Sequence, residues 1–253
     1  VVRTPAKAAD LASRGVQVRA GNYDDPAQLA AALKGVEKLL LISASEVGKR
    51  AKQHAAVIDA AKAAGVKLIA YTSILRGTGS KLALASEHAA TEKLLAASGV
   101  PFVLLRNGWY LENYTGTIAT SLAHGVAGCS GSGRIAAASR ADYAAAAVAV
   151  LTREGQAGKV YELAGDVPFT KAELAAELSK QAGKPVPHAE LSAEQFKAVL
   201  TGAGVPGPFV DILVDADLNI AKGELDDRSG ALKALIGRPT QTLAAAIAAA
   251  LPR

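Results

Sequence analysis

The strongest constraint on this chain is a repeated alternation of short apolar runs with longer segments of helical spacing. Runs of β type occupy 16–18 (VQV), 37–42 (EKLLLI), 66–71 (VKLIAY) and 101–105 (PFVLL). Helical spacing fills 5–13, 26–33, 47–64 and 82–97. Gly15, Gly65 and Gly99 stand where three of those helices have to stop. A run such as LLLI shows no polar alternation, so both faces of its strand are to be covered, and the intervening helices supply the cover. The pattern predicts a doubly wound parallel α/β sheet over 1–110.

From about residue 111 the texture changes. Glycines cluster between Gly125 and Gly133, and a helix is expected from about 139 to 151. A short strand follows at 159–163, then helices opened by Thr170 with Glu173 and by Ser192 with Glu194 and Gln195. Residues 111–253 therefore read as a smaller, mostly helical substrate-side region, with a strand able to return to the first domain. In open α/β sheets such a region lies beside the carboxyl ends of the strands, where ligands bind.

In such a sheet the first strand is central. Here Val1-Val2-Arg3, a helix, and then 16–18 read as an entry at the second strand, which would leave its neighbours without a partner. Each unpaired buried backbone group costs ~1–3 kcal/mol. The expectation is that about 30 further residues, a strand-loop-helix unit, precede Val1.

Composition narrows the partners. Of the 253 residues half are hydrophobic and a fifth charged, as in a globular core, and no apolar run approaches a bilayer span. The net charge of +5 suits an anionic small molecule. Lys and Arg are scattered without a basic block, which speaks against nucleic acid. Cys129 has no second cysteine to pair with, so a reducing, cytoplasmic setting is expected. His54, His88, His124 and His188 are too dispersed for a metal site.

Several residues fall where a nucleotide-binding sheet places its contacts. Arg3 ends the first apolar segment, at the turn that faces the adenosine ribose. A cation there accommodates a 2′-phosphate, whereas a carboxylate would bind the free hydroxyl. Ser43, Ala44 and Ser45 follow EKLLLI, and their small side chains let a ligand approach the backbone before a helix N-terminus. Tyr71 closes VKLIAY, and His88 lies on the following helix. Both are candidate proton donors. A tyrosine four residues before Lys93 would form a reductase pair, but Ala89 stands there. The segment from Arg106 to Tyr114 holds the single Trp among scarce aromatics. Asn107, Gly108, Trp109, Tyr110, Leu111 and Glu112 are its candidate cofactor-side residues, with Tyr110 a third possible donor.

The segments VVRTPAKA, GVEKLLLISASEVGKRAKQH, AAKAAGVKLIAYTS, EHAATEKLLAASGV, LLRNGWYLENY, SRADYAAAA and GKVYELAGD together resemble the NmrA-like branch of atypical short-chain dehydrogenases/reductases. Within that branch the likeness is greatest to the bacterial NADPH-dependent quinone oxidoreductases of type 2. The resemblance implies a Rossmann-type fold, whose G-A-T-G-x-x-G pyrophosphate loop would lie in the expected upstream residues. It also implies NADPH as cofactor, a quinone or similar flat aromatic as substrate, and hydride transfer. Arg3 would then meet the 2′-phosphate, Ser43 to Ser45 the pyrophosphate and ribose, and Asn107 to Glu112 the nicotinamide side. Two other activities stay open: a non-enzymatic NADP-binding redox sensor, and a reductase of triphenylmethane dyes. A homodimer is the expected assembly by symmetry alone.

Overall fold

The computed structural model describes residues 1–251. A 3₁₀ turn, Pro5–Ala8, leads into α1 (Ala9–Ser13), followed by α2 (Pro26–Ala32), β1 (Lys38–Leu41), α3 (Arg50–Ala63), β2 (Leu68–Ile74), α4 (Ala85–Ser98) and β3 (Phe102–Asn107). Then come α5 (Glu112–Thr115), α6 (Ile118–His124), β4 (Val126–Gly128), α7 (Arg140–Thr152), β5 (Val160–Leu163), α8 (Lys171–Ala182) and β6 (His188–Glu190). The described chain closes with α9 (Ala193–Gly202), α10 (Gly207–Ile220), α11 (Ala231–Ile236) and α12 (Leu243–Ala250).

Strands β1, β2, β3 and β5 form one sheet in that order. β1 and β2 are parallel, with Lys38 opposite Leu68 and Leu41 opposite Tyr71. The Ile69 N–H donates to Pro101 O and the Leu75 N–H to Asn107 O, so numbering rises in step on β2 and β3 as well. β2 is buried at six of its seven residues, which is what a strand covered on both faces requires. The helix stops fall where the sequence places them: Gly15, Gly65 and Gly99 adopt φ of +83°, +73° and +75°, a left-handed conformation that glycine takes without steric cost.

Compact packing divides the chain into two units. The first holds Val1–Ser73, Glu87–Leu105 and Val150–Val160. The second holds Ile74–Ser86, Arg106–Ala149 and, of the described residues, 161–251. The units interleave along the chain, whereas the sequence suggested a boundary at 110/111. The first unit has its core around Leu29, Leu41, Val57, Ile69, Tyr71 and Leu95. The core of the second gathers Leu111, Ile135, Phe169, Leu178, Ile220 and Ile247.

One expected strand does not form. Residues 16–18 are not a strand, and pairing is confined to a single parallel bridge, Val2 with Ala20. The Val2 N–H donates to Arg19 O and the Gly21 N–H to Val2 O. Val16 is exposed and gains nothing from further pairing. The expected capping boxes do form. Thr170 and Glu173 cap α8 reciprocally, and Ser192 and Gln195 cap α9.

The glycine cluster turns out to be a packing device. A Cβ on Gly128 would lie 2.5 Å from Lys171 Nζ and 2.7 Å from Asp217 Oδ2. The same stretch supplies β4, which pairs in parallel with β6. Among the described residues no helix is long and apolar enough to cross a membrane, and no group of three or more His, Cys, Asp or Glu could hold a metal ion.

Candidate functional site

In the first unit a cavity of about 320 Å³ opens beside the turn that follows β1. Its wall combines Arg3, the turn Gly21-Asn22-Tyr23, Ser43 to Glu46, and Gln53 on α3. The structure thus brings Arg3 together with Ser43, Ala44 and Ser45, as the sequence led one to expect. The turn after Ala20 and the side chain of Gln53 were missed. A glycine and an asparagine directly after an apolar segment are the signal that was available for the former. Gln53 gave none, since it reads as an ordinary helical residue.

The Ser43–Glu46 turn is held from behind by side chains. The Ser43 N–H donates to Thr72 Oγ1 at 2.8 Å, and the Ala44 N–H to His54 Nε2 at 2.9 Å. Further on, the Gly48 N–H donates to Glu87 Oε1 at 2.9 Å. Charge at the mouth is mixed. Hydrogen bonds from Lys49 and Gln53, followed by the Lys49 charge, hold the Glu46 carboxyl below its usual range, and Arg3 acts in the same direction. Gln53 Nε2 also reaches the Asp24 carboxylate at 3.1 Å and 3.2 Å. One buried polar atom of the residues in this wall, Gln53 Oε1, makes no hydrogen bond, while Ser43 acts on the Tyr71 hydroxyl through a side-chain hydrogen bond.

Tyr71 and His88 are also brought together. Tyr71 Oη lies 2.8 Å from His88 Nδ1, and the rings are tilted with centroids 6.0 Å apart. Burial, followed by the charges of Arg50 and His54, pushes His88 down to about 3. Burial pushes the Tyr71 hydroxyl up to about 12. Both side chains are neutral at neutral pH. Tyr71 is fully buried and His88 8% exposed, so the pair holds a proton inside the unit. Nearby, Ser73 donates to Glu92 Oε1 at 2.6 Å.

In the second unit the segment after β3 is built tightly. The Gly108 N–H donates to Leu163 O at 2.7 Å, and a Cβ there would sit 3.2 Å from that oxygen and 3.3 Å from the Tyr143 hydroxyl. The Leu111 N–H donates to Ala138 O, and the Ala138 N–H to Trp109 O. Glu112 accepts from the Arg140 N–H at 2.9 Å and 3.1 Å. Tyr110 packs edge-on against Tyr143, centroids 5.3 Å apart, and the Arg140 guanidinium lies 5.4 Å from the Tyr110 ring centre. Asn107 is 5% exposed, and its Oδ1 has no hydrogen-bond partner.

Residues 1–154 match a family described as NAD(P)H-binding. The chain is 56% identical over 248 residues to quinone oxidoreductase 2 of Escherichia coli (strain K12), covering 98% of this chain and 87% of that protein. The crystal structure of an Escherichia coli NADPH-dependent quinone oxidoreductase complexed with NADPH superposes with a TM-score of 0.95 at 55% identity, covering 98% of this chain and 88% of that one. The triphenylmethane reductase of Citrobacter sp., complexed with NADP(H), superposes with a TM-score of 0.92 at 39% identity, covering 99% of this chain and 89% of that one.

Proposed function

We infer that this protein, which belongs to the NAD(P)H-binding family, is an NADPH-dependent reductase of quinones. The observation that carries the reading is the cavity of the first unit, whose wall joins Arg3 to Ser43, Ala44 and Ser45. The likeness to the Escherichia coli quinone oxidoreductase supports the substrate class. When bound, NADPH supplies the hydride that reduces the quinone.

The chain's own contribution is binding, orientation and exclusion of water. Arg3 pairs with the 2′-phosphate, and its guanidinium makes charge-assisted, two-pronged contacts with such a group. Ser43, Ala44 and Ser45 border the pyrophosphate and ribose, where small side chains permit close approach. In the second unit Asn107, Gly108, Trp109, Tyr110, Leu111 and Glu112 border the nicotinamide side.

Reduction to the hydroquinone also consumes one proton besides the hydride. Of the three candidate donors, Tyr71 and His88 are bound to each other and buried, whereas Tyr110 is partly exposed. We assign donation to Tyr110 or water, and a structural part to the Tyr71–His88 pair. A cytoplasmic location accords with Cys129, a buried free thiol that burial pushes up to about 11 and so keeps unreactive.

The test is steady-state oxidation of NADPH with 1,4-benzoquinone as acceptor. Quinone-dependent turnover above the protein-free rate is the expected result. Tight NADPH binding without turnover would replace this reading by the redox-sensor one, which the missing tyrosine at Ala89 favours.

A further inference from the structure

The Ser43–Glu46 turn carries no regular structure, yet it forms one wall of the cavity. Its shape depends on where its backbone N–H groups are sent, and one of them is sent to an imidazole. The surroundings of that imidazole settle all of its protons.

Thr91 Oγ1 lies 2.9 Å from Glu87 O, and a carbonyl only accepts, so the threonine hydroxyl donates there. His54 Nδ1 lies 2.8 Å from the same Thr91 oxygen, whose proton is already committed, so Nδ1 carries a hydrogen and donates. The Ala44 N–H, an obligate donor, lies 2.9 Å from Nε2, so Nε2 accepts. Only the neutral Nδ1–H tautomer satisfies the three contacts. The other tautomer, or a protonated ring, would set an N–H of the imidazole against the N–H of Ala44.

We infer that His54, held as the Nδ1–H tautomer by Thr91, is a positioning residue that sets the Ser43–Glu46 turn in its cofactor-binding shape. The role rests on reading the cavity as the NADPH site. His54 does not line the cavity, and its ring is fully buried, so it acts through Ala44. A buried imidazole makes a good fixed point because packing leaves its ring little freedom. It meets Tyr71 edge-on at 5.5 Å between centroids and Tyr23 at 6.4 Å. Arg50, one turn earlier on α3, and His88, on α4, add charge or potential charge beside it, and Glu87 lies 3.9 Å from Arg50. Burial, followed by the Arg50 charge, pushes His54 down to about 4, in keeping with a ring that stays neutral while it works. The turn thus takes its shape from two directions, with Thr72 on β2 holding Ser43 and His54 on α3 holding Ala44, while Glu87 on α4 holds Gly48 just beyond it.

The experiment combines nitrogen NMR of histidine-labelled protein without cofactor with NADPH titrations of His54→Gln, His54→Phe and Thr91→Val. The His54 signals, assigned by their loss in His54→Gln, should show a protonated Nδ1 and an unprotonated Nε2. Thr91→Val should shift that ring toward the Nε2–H form. A glutamine can still offer Ala44 an acceptor, so His54→Gln should keep NADPH affinity within about threefold. His54→Phe should lose about tenfold or more through KM for NADPH, with kcat at saturating cofactor nearly unchanged. An Nε2–H tautomer in the unaltered protein, or unchanged NADPH affinity in both His54→Phe and Thr91→Val, would overturn the inference. Should His54→Phe fail to fold, the tautomer and Thr91→Val decide. If the unaltered protein shows the predicted tautomer yet does not bind NADPH, the cofactor reading fails, while the link from His54 to the turn stands.

Discussion

Acidification should begin to destabilise this protein above the range in which its carboxylates are neutralised, because two histidines are buried in uncharged form. His54 and His88 lie in the first unit, pushed down to about 4 and about 3 respectively, in each case first by burial. In the unfolded chain a histidine takes up its proton near 6.5. Between that value and the native one the unfolded state binds more protons than the native state, so stability falls as pH falls. The loss begins near pH 6.5, is complete for His54 near pH 4 and for His88 near pH 3, and is absent at pH 8. A depression from 6.5 to about 4 corresponds to about 3 kcal/mol for His54. The same conversion gives about 5 kcal/mol for His88, and because the two rings act on each other and share Arg50 the joint loss is smaller than the sum of the two. That is a large share of the 5–15 kcal/mol that holds a typical domain together, taken as a rough range. Urea unfolding at pH 8, 6.5 and 5 measures the loss, and proton NMR of the imidazoles gives each titration directly. Stability that stays level from pH 8 to pH 5, or a His54 ring titrating near 6.5, would refute the reasoning.

Other perturbations separate binding from packing. Arg3→Glu should raise the Kd for NADPH by about tenfold or more and leave NADH nearly unaffected, since only NADPH carries the 2′-phosphate. Equal loss for both cofactors in a titration would remove Arg3 from that role. Lys171 and Asp217 form a buried ion pair at 2.5 Å, with Lys171 Nζ also 4.6 Å from the Phe196 ring centre. Lys171→Met strands the carboxylate and should cost about 3–5 kcal/mol in chemical denaturation, with much of it recovered in Lys171→Met/Asp217→Leu. A single variant as stable as the parent would contradict this. In Gly165→Ala the new methyl would press on the backbone carbonyl of Ala137, which has no side-chain freedom to yield. A cost of about 2 kcal/mol should lower Tm by roughly 4–8 °C in a scan.

The parallel sheet was legible because buried strands and helix stops leave local marks: the runs LLLI and LIAY, and glycines at positions that need positive φ. The α8 and α9 boundaries were legible for the same reason, since Thr170 and Ser192 cap helices through contacts three residues away. The stretch 16–18 misled because its β-type composition says nothing about partners. Val2 meets Ala20 alone, and the strand stops there. The sequence suggested a strand returning to the first domain, but the full interleaving of the two units depends on which segments pack together across long separations. For the site, Arg3 and Ser43 to Ser45 could be found because they stand at the ends of apolar runs. Gln53, His54 and Thr91 could not, because their importance arises from three elements converging on one turn. The glycines from 125 to 133 stood out in the sequence without a reason attached. At least Gly128 makes room for the Lys171–Asp217 pair.

The most direct test of the account is a single-turnover experiment in which the protein, preloaded with stoichiometric NADPH, is mixed with 1,4-benzoquinone in the absence of oxygen. The account predicts loss of the nicotinamide absorbance faster than without protein, one hydroquinone formed per NADPH consumed, and a slower reaction when the transferred hydrogen is deuterium. Bound NADPH that keeps its absorbance in the presence of the quinone would contradict it.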